Sequence, residues 1–219
     1  MARQRRIWYP GATYHVMSRG NRKTAIFQEQ DDYLYFLKIL GTIKEKYPFK
    51  IHSLCLMTNH FHMAIETIST ELWRIMQKLL SVYAEAYNHK YSLTGHLFEG
   101  RYTACIIQDD RYFLEVSRYI HLNPVKAKMV KEPLDYEYSS YPLFVSDNSR
   151  YKASKIASLI ADLIDTSRAF GFFSDNPKEQ YRMFVESKMS HEEQELLIQK
   201  DMKEDEMWLP WGLTPGEKA

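Results

Sequence analysis

The chain has 219 residues, 45% hydrophobic and 26% charged, which fits one globular domain with a full core and leaves room for a small appendage. No apolar run approaches the ~20 residues of a membrane span, and the basic start "MARQRRIWYP" has no apolar segment behind it, so it does not read as a secretory signal. The net charge of +1 hides an asymmetry: residues 1–150 carry 20 Lys and Arg against 15 Asp and Glu, whereas residues 151–219 carry 9 against 13.

The first 28 residues hold six basic side chains, Arg3, Arg5, Arg6, Arg19, Arg22 and Lys23, and no acid, an arm that suits a polyanion. The alternating, β-rich "ATYHVMSRG" predicts a first strand over residues 12–18, ended by a Gly-Asn turn at 20–21. In "DDYLYFLKILGTIKEKY" the spacing of Leu34, Leu37, Ile39 and Leu40 predicts a helix, with Asp31 and Asp32 suited to cap it and a stop before Pro48. "FKIHSLCLM" and "HFHMAIE" read as two strands joined by a short turn at Thr58-Asn59. Residues 69–91 read as a long helix whose apolar stripe is Leu72, Ile75, Met76, Leu79 and Tyr83. "HLFEGRYTACII" supplies a fourth strand, or two short ones around Gly100. Cys55 and Cys105 show no metal spacing and read as reduced core thiols of a cytoplasmic protein.

The order strand, helix, strand, strand, helix, strand predicts an α+β, ferredoxin-like split βαβ fold: an antiparallel sheet covered on one face by two helices. A further helix begins near Asp110 and is expected to break near Asn123, because Pro124 disfavours the α conformation before it. The aromatic, turn-rich "EPLDYEYSSYPLF" is expected to pack on the sheet edge. Residues 1–145 then form the main domain, and residues 146–219 a helical, acidic C-terminal extension in which "SHEEQELLIQKDMKEDEM" reads as a surface helix.

Candidate chemistry starts with His60 and His62. One residue apart on a strand, they share a face while Phe61 points the other way. The pair is either a polar patch on a half-exposed sheet or a two-nitrogen ligand set. On the extra helix Tyr112, Val116, Tyr119 and Asn123 fall at spacings of four, three and four, so they share a face and put a phenol one turn before a carboxamide. Two imidazoles and an amide oxygen leave room for water and substrate oxygens, which suits Mg2+ or Mn2+ bound jointly by protein and phosphate. A tyrosine nucleophile beside such an ion would conserve the phosphodiester energy in a phosphotyrosine, which strand transfer needs and hydrolysis does not.

"MTNHFHMAIE", "GHLFEGRYTA" and "SRYIHLNPVKAKMV", in that order, resemble the REP-associated tyrosine transposases, part of the HUH superfamily of single-strand nucleases and insertion-sequence transposases. The resemblance covers about residues 9–144, and "YHVMSRGNRK" resembles the family's opening strand and turn. It implies that His60 and His62 ligate the metal, that Asn123 is the third ligand and that Tyr119 is the nucleophile. It also implies cleavage and rejoining of single-stranded, hairpin-bearing DNA through a 5′-phosphotyrosine, by a monomer or homodimer acting in the cytoplasm. His121 is a rival third ligand by residue type, but it lies roughly 160° to 200° round the helix from Tyr119. Arg3, Arg5, Arg6, Arg19, Arg22, Lys23 and Arg101 are candidate phosphate contacts, with Trp8, Tyr9 and Tyr102 available to stack on bases. Glu66 shares the histidines' strand face and is a candidate for orienting one of them. The alternative is a binding module without catalysis, either an inactive relative or an RNA-binding sheet that stacks bases on aromatics.

Overall fold

A computed structural model of the chain describes residues 8–146 and 154–187. Four strands form one antiparallel sheet in the order β2-β3-β1-β4: β1 is Thr13–Arg19, β2 Phe49–Leu56, β3 His60–Thr67 and β4 Thr103–Ile107. Two helices, α1 (Gln30–Lys46) and α2 (Leu72–Lys90), complete the βαββαβ order of the ferredoxin-like fold. The period of two along β3 sends Phe61 against Phe36 of α1, with ring centroids 5.1 Å apart. His60 and His62 therefore face the other side of the sheet, where a third helix, α3 (Asp110–Lys126), lies.

Several local expectations needed adjusting. The start of α1 is capped by Glu29 rather than by Asp31. Asp32 sits in the first turn and accepts the backbone N–H of Gln28 (2.8 Å) and of Glu29 (3.1 Å), so it satisfies donors that the helix leaves orphaned. The fourth strand is a single run, and Phe98 upstream of it makes an isolated bridge to Gly20. A Cβ on Gly20 would lie 2.2 Å from the carbonyl oxygen of Thr24, so this turn admits only glycine.

The third helix does not break at Asn123. Pro124 sits in its last turn and forgoes one intrahelical bond, and the helix closes through bonds from Ala127 N–H to Asn123 O and from Met129 N–H to Pro124 O. The start is fixed by Asp109, whose side chain accepts the N–H of Tyr112 at 2.7 Å. An unusual number of polar side chains on α3 are buried, among them Glu115, Ser117, Arg118, His121 and Asn123. The reason is a layer beyond it. The "EYSSY" segment pairs with edge strand β2, through Leu56 N–H to Tyr138 O and Ser140 N–H to Leu54 O, and leads into α4 (Tyr141–Val145).

Three more helices follow: α5 (Lys155–Leu163), α6 (Ser167–Phe170) and α7 (Pro177–Glu186). The Tyr181 hydroxyl of α7 reaches Ser117 Oγ at 2.6 Å and His121 Nδ1 at 2.9 Å. Ile164 forms a parallel bridge to Ile51, and Arg168 donates to Thr13 Oγ1 at 2.9 Å. Met1–Glu186 is one compact unit that holds both the sheet and these helices. These helices carry buried anchors: Ile156 and Ile160 on α5, which packs against α1, and Tyr181 and Val185 on α7, which packs against α3 and α4. The segment expected as an acidic surface helix lies outside the described residues. Among the described residues no helix is long and apolar enough to cross a membrane.

Candidate active site

The site forms between the sheet and α3. β3 presents His60 and His62 with ring centroids 5.0 Å apart and planes at 90°. Tyr119 of α3 stands edge-on to His62, its ring centroid 5.4 Å away at 90°. Asn123, one turn further on, donates from Nδ2 to the Tyr119 carbonyl at 3.0 Å, and its side chain is hydrogen-bonded to His60. The sheet face and the helix face read from the sequence spacings thus bring His60, His62, Tyr119 and Asn123 together.

Three neighbours were not picked out from the sequence. His15 of β1 hydrogen-bonds His62, Nε2 to Nδ1 at 3.1 Å, with the rings stacked at 5.2 Å, and lies 5.7 Å from the Tyr119 ring. Its signal was legible: it is a third histidine in an alternating strand, on the face that pairs with His62. Asn59 Oδ1 lies 2.6 Å from His60 Nδ1. Lys126, seven residues after Tyr119 and so on the same helix face, places its Nζ 4.6 Å from the centre of that ring.

Burial sets the protonation. It pushes His15 and His60 down to about 4, and the Arg19 charge helps to hold His60 there. His62 is lowered well below its ordinary value, first by burial and then by the charges of His15, His60 and Lys126. The imidazoles are therefore neutral at physiological pH, the state in which a ring nitrogen can ligate a cation. Among the described residues no group of three or more His, Cys, Asp and Glu side chains is arranged to hold a metal ion. The donor set that fits is two neutral imidazoles with the Asn123 carboxamide oxygen, which leaves positions open for substrate oxygens.

Other candidates are placed elsewhere. Glu66 does not meet His60 or His62. It binds His52 Nε2 at 2.9 Å and pairs with Lys50 at 3.7 Å and Arg168 at 3.7 Å. Lys50 lies across from Glu66 in the sheet register, and the period of two puts His52 on the same side of β2, within reach of the Glu66 carboxylate. His121 is buried between Ser140 Oγ (2.8 Å) and Tyr181, away from the cleft. Tyr102 is 4% exposed and therefore unable to stack on a base, whereas Tyr9 is 48% exposed and Trp8 half-buried. Arg19 lies directly across from His60 in the sheet register and forms an ion pair with Glu99 at 2.8 Å. Arg22, Lys23 and Arg101 are exposed, while Arg3, Arg5 and Arg6 lie outside the described residues.

The family model described as "Transposase IS200 like" matches residues 9–123, a span that contains β1 to β4 and the site from His15 to Asn123. The chain belongs to the IS200-like transposases. Among solved structures, this transposase is similar to a REP-associated tyrosine transposase bound to a REP hairpin, with a TM-score of 0.56 and 19% identity over 72% of this chain and 90% of that one. At that identity the likeness concerns the fold. A candidate transposase from Deinococcus radiodurans R1 (TM-score 0.38, 14% identity, 54% of this chain and 95% of that one) is more distant and carries no argument. No curated protein matches the IS200-like chain.

Proposed function

We propose that this transposase cleaves and rejoins single-stranded, hairpin-bearing DNA in a reaction that depends on a divalent metal and passes through a 5′-phosphotyrosine on Tyr119. The observation that carries the reading is the packing of the Tyr119 ring against His62, with Asn123 one turn along the same helix and bonded to His60. His60, His62 and the Asn123 oxygen would hold Mg2+ or Mn2+, which when bound supplies Lewis-acid polarisation of a phosphate oxygen.

The chain's own part is a balanced exchange. The Tyr119 oxygen attacks the scissile phosphorus, the P–O3′ bond breaks, and the departing oxygen takes up a proton to become a free 3′-OH. The 5′ side stays linked to tyrosine. Attack by a 3′-OH on the same phosphorus then breaks the tyrosyl P–O bond and returns the phenol, so bond energy is conserved. Arg19 beside His60, and the exposed Arg22, Lys23 and Arg101, are the described cations suited to the strand's phosphates, with Arg3, Arg5 and Arg6 assigned to the same role. The REP hairpin held by the structural neighbour supports a folded single strand as partner.

The test is a denaturing gel of labelled hairpin oligonucleotide incubated with the full chain and Mg2+, Mn2+ or a chelator. Label migrating with protein in either metal, and absent with chelator, is expected. A chain that binds the hairpin but gives no adduct in either metal is a binding module, and the catalytic reading falls.

A further inference from the structure

Asn59 closes the turn between β2 and β3 and makes two side-chain bonds. Its Nδ2 donates to the carbonyl oxygen of Lys23 at 3.0 Å, and its Oδ1 lies 2.6 Å from Nδ1 of His60. Together they remove the ambiguity of a carboxamide's two ends. The Lys23 carbonyl can only accept, so the atom facing it is the amide nitrogen. The atom facing His60 is then the oxygen, which also only accepts, so His60 Nδ1 must carry the proton. In a neutral ring this leaves the lone pair on Nε2.

We propose that Asn59 is a positioning residue that holds His60 as its Nδ1–H tautomer, offering the Nε2 lone pair to a divalent cation, and ties that ligand to the cationic Arg22–Lys23 turn. The ligand half rests on the reading of His60 given under the proposed function. The partner of the non-ligating nitrogen sets tautomer and ring orientation in metal-binding histidines, and its loss typically weakens metal affinity 10- to 100-fold.

The turn at the other end of Asn59 is itself built to hold one shape. Arg22 and Lys23 have φ of 53° and 60°, in the left-handed region, and Lys23 N–H bonds to Gly20 O at 2.9 Å. Gly20 N–H in turn donates to the main-chain oxygen of Asn59 at 2.8 Å. One residue therefore joins the two exposed cations of this turn to the first histidine of β3. A phosphate gripped at Arg22 or Lys23 is kept in register with whatever His60 ligates.

The test uses the full chain, metal-free and 15N-labelled, near neutral pH. Long-range 1H–15N correlation spectra should report His60 as the Nδ1–H tautomer in the parent and a shift toward Nε2–H in Asn59→Ala. Mn2+ affinity, measured by electron paramagnetic resonance of the free ion, should fall at least tenfold in Asn59→Ala with the unfolding midpoint little changed. Asn59→Asp, which keeps the acceptor, should restore the tautomer. An unchanged His60 tautomer in Asn59→Ala, or Mn2+ affinity within twofold of the parent, overturns the proposal. A parent that shows the Nδ1–H tautomer yet binds no Mn2+ overturns the ligand reading instead, with the tautomer assignment left standing.

Discussion

Lys126 holds its ammonium 4.6 Å from the centre of the Tyr119 ring, two helical turns after it. In the proposed reaction a cation there would offset the negative charge gathering on the Tyr119 oxygen and the phosphate in the transition state, where fixed charge is worth most. Lys126→Met should slow adduct formation about tenfold in single-turnover experiments, in line with the loss of one charge contact. Lys126→Arg should keep most of the rate. A Met variant with the parental rate would reduce the contact to packing.

Tyr119→Phe keeps the ring and its edge-on contact with His62 but removes the oxygen proposed to attack the phosphorus. The protein should fold, bind metal and hairpin as before, and form no adduct on a denaturing gel. Tyr112→Phe alters a residue buried at the start of the same stripe, 2% exposed, and should remain active. Adduct persisting in the first variant and lost in the second would move the nucleophile.

His121 gives the fold an acid limit. Burial holds it down at about 3, against 6.5 when exposed in the unfolded chain. Between those values the unfolded chain binds a proton that the folded one refuses, so this contribution is complete above pH 6.5 and is lost progressively as pH falls toward 3. His15, at about 4, acts in the same direction. Each pK unit is about 1.4 kcal/mol, so urea midpoints should decline markedly between pH 6.5 and 4. His121→Asn should flatten that decline while lowering stability at pH 7. An unchanged slope would assign the acid limit to other groups.

Arg22→Ala and Lys23→Ala should each weaken hairpin binding roughly equally across sequences and lower the slope of log affinity against log salt by about 1. Fluorescence anisotropy from low to moderate salt reads the slope. A parental slope in both variants would mean that the turn is solvated rather than in contact with phosphates.

The sequence carried the βαββαβ order and the pairing of His60 and His62 with Tyr119 and Asn123, because periods of two and 3.6 fix which side chains share a face. It did not carry what depends on residues far apart in the chain. Glu66 shares a strand face with the histidines, but His52 on the neighbouring strand reaches it first, a partner set by the pairing register of β2 and β3. Tyr102 looked available for stacking, yet tertiary packing buries it. Pro124 read as a stop because proline disfavours the α conformation in the residue before it, whereas Asn123 stays helical and the helix runs on to Lys126. The acidic charge of residues 151–219 concealed the anchors through which α5 and α7 join the compact unit.

The hydrogen bonds from Tyr181 to Ser117 and His121 have a practical consequence for grafting and truncation. The segment that matches the family model ends at Asn123, so it looks like a portable cassette. It is not one, because the outer face of the helix that carries Tyr119 has polar groups whose partners come some sixty residues later. Moved without residues 124–186, the cassette would bring Ser117, Arg118 and His121 into water or against a foreign surface, and the aim of Tyr119 would go with them. Swaps between relatives should therefore exchange α3 and its C-terminal cover as one piece.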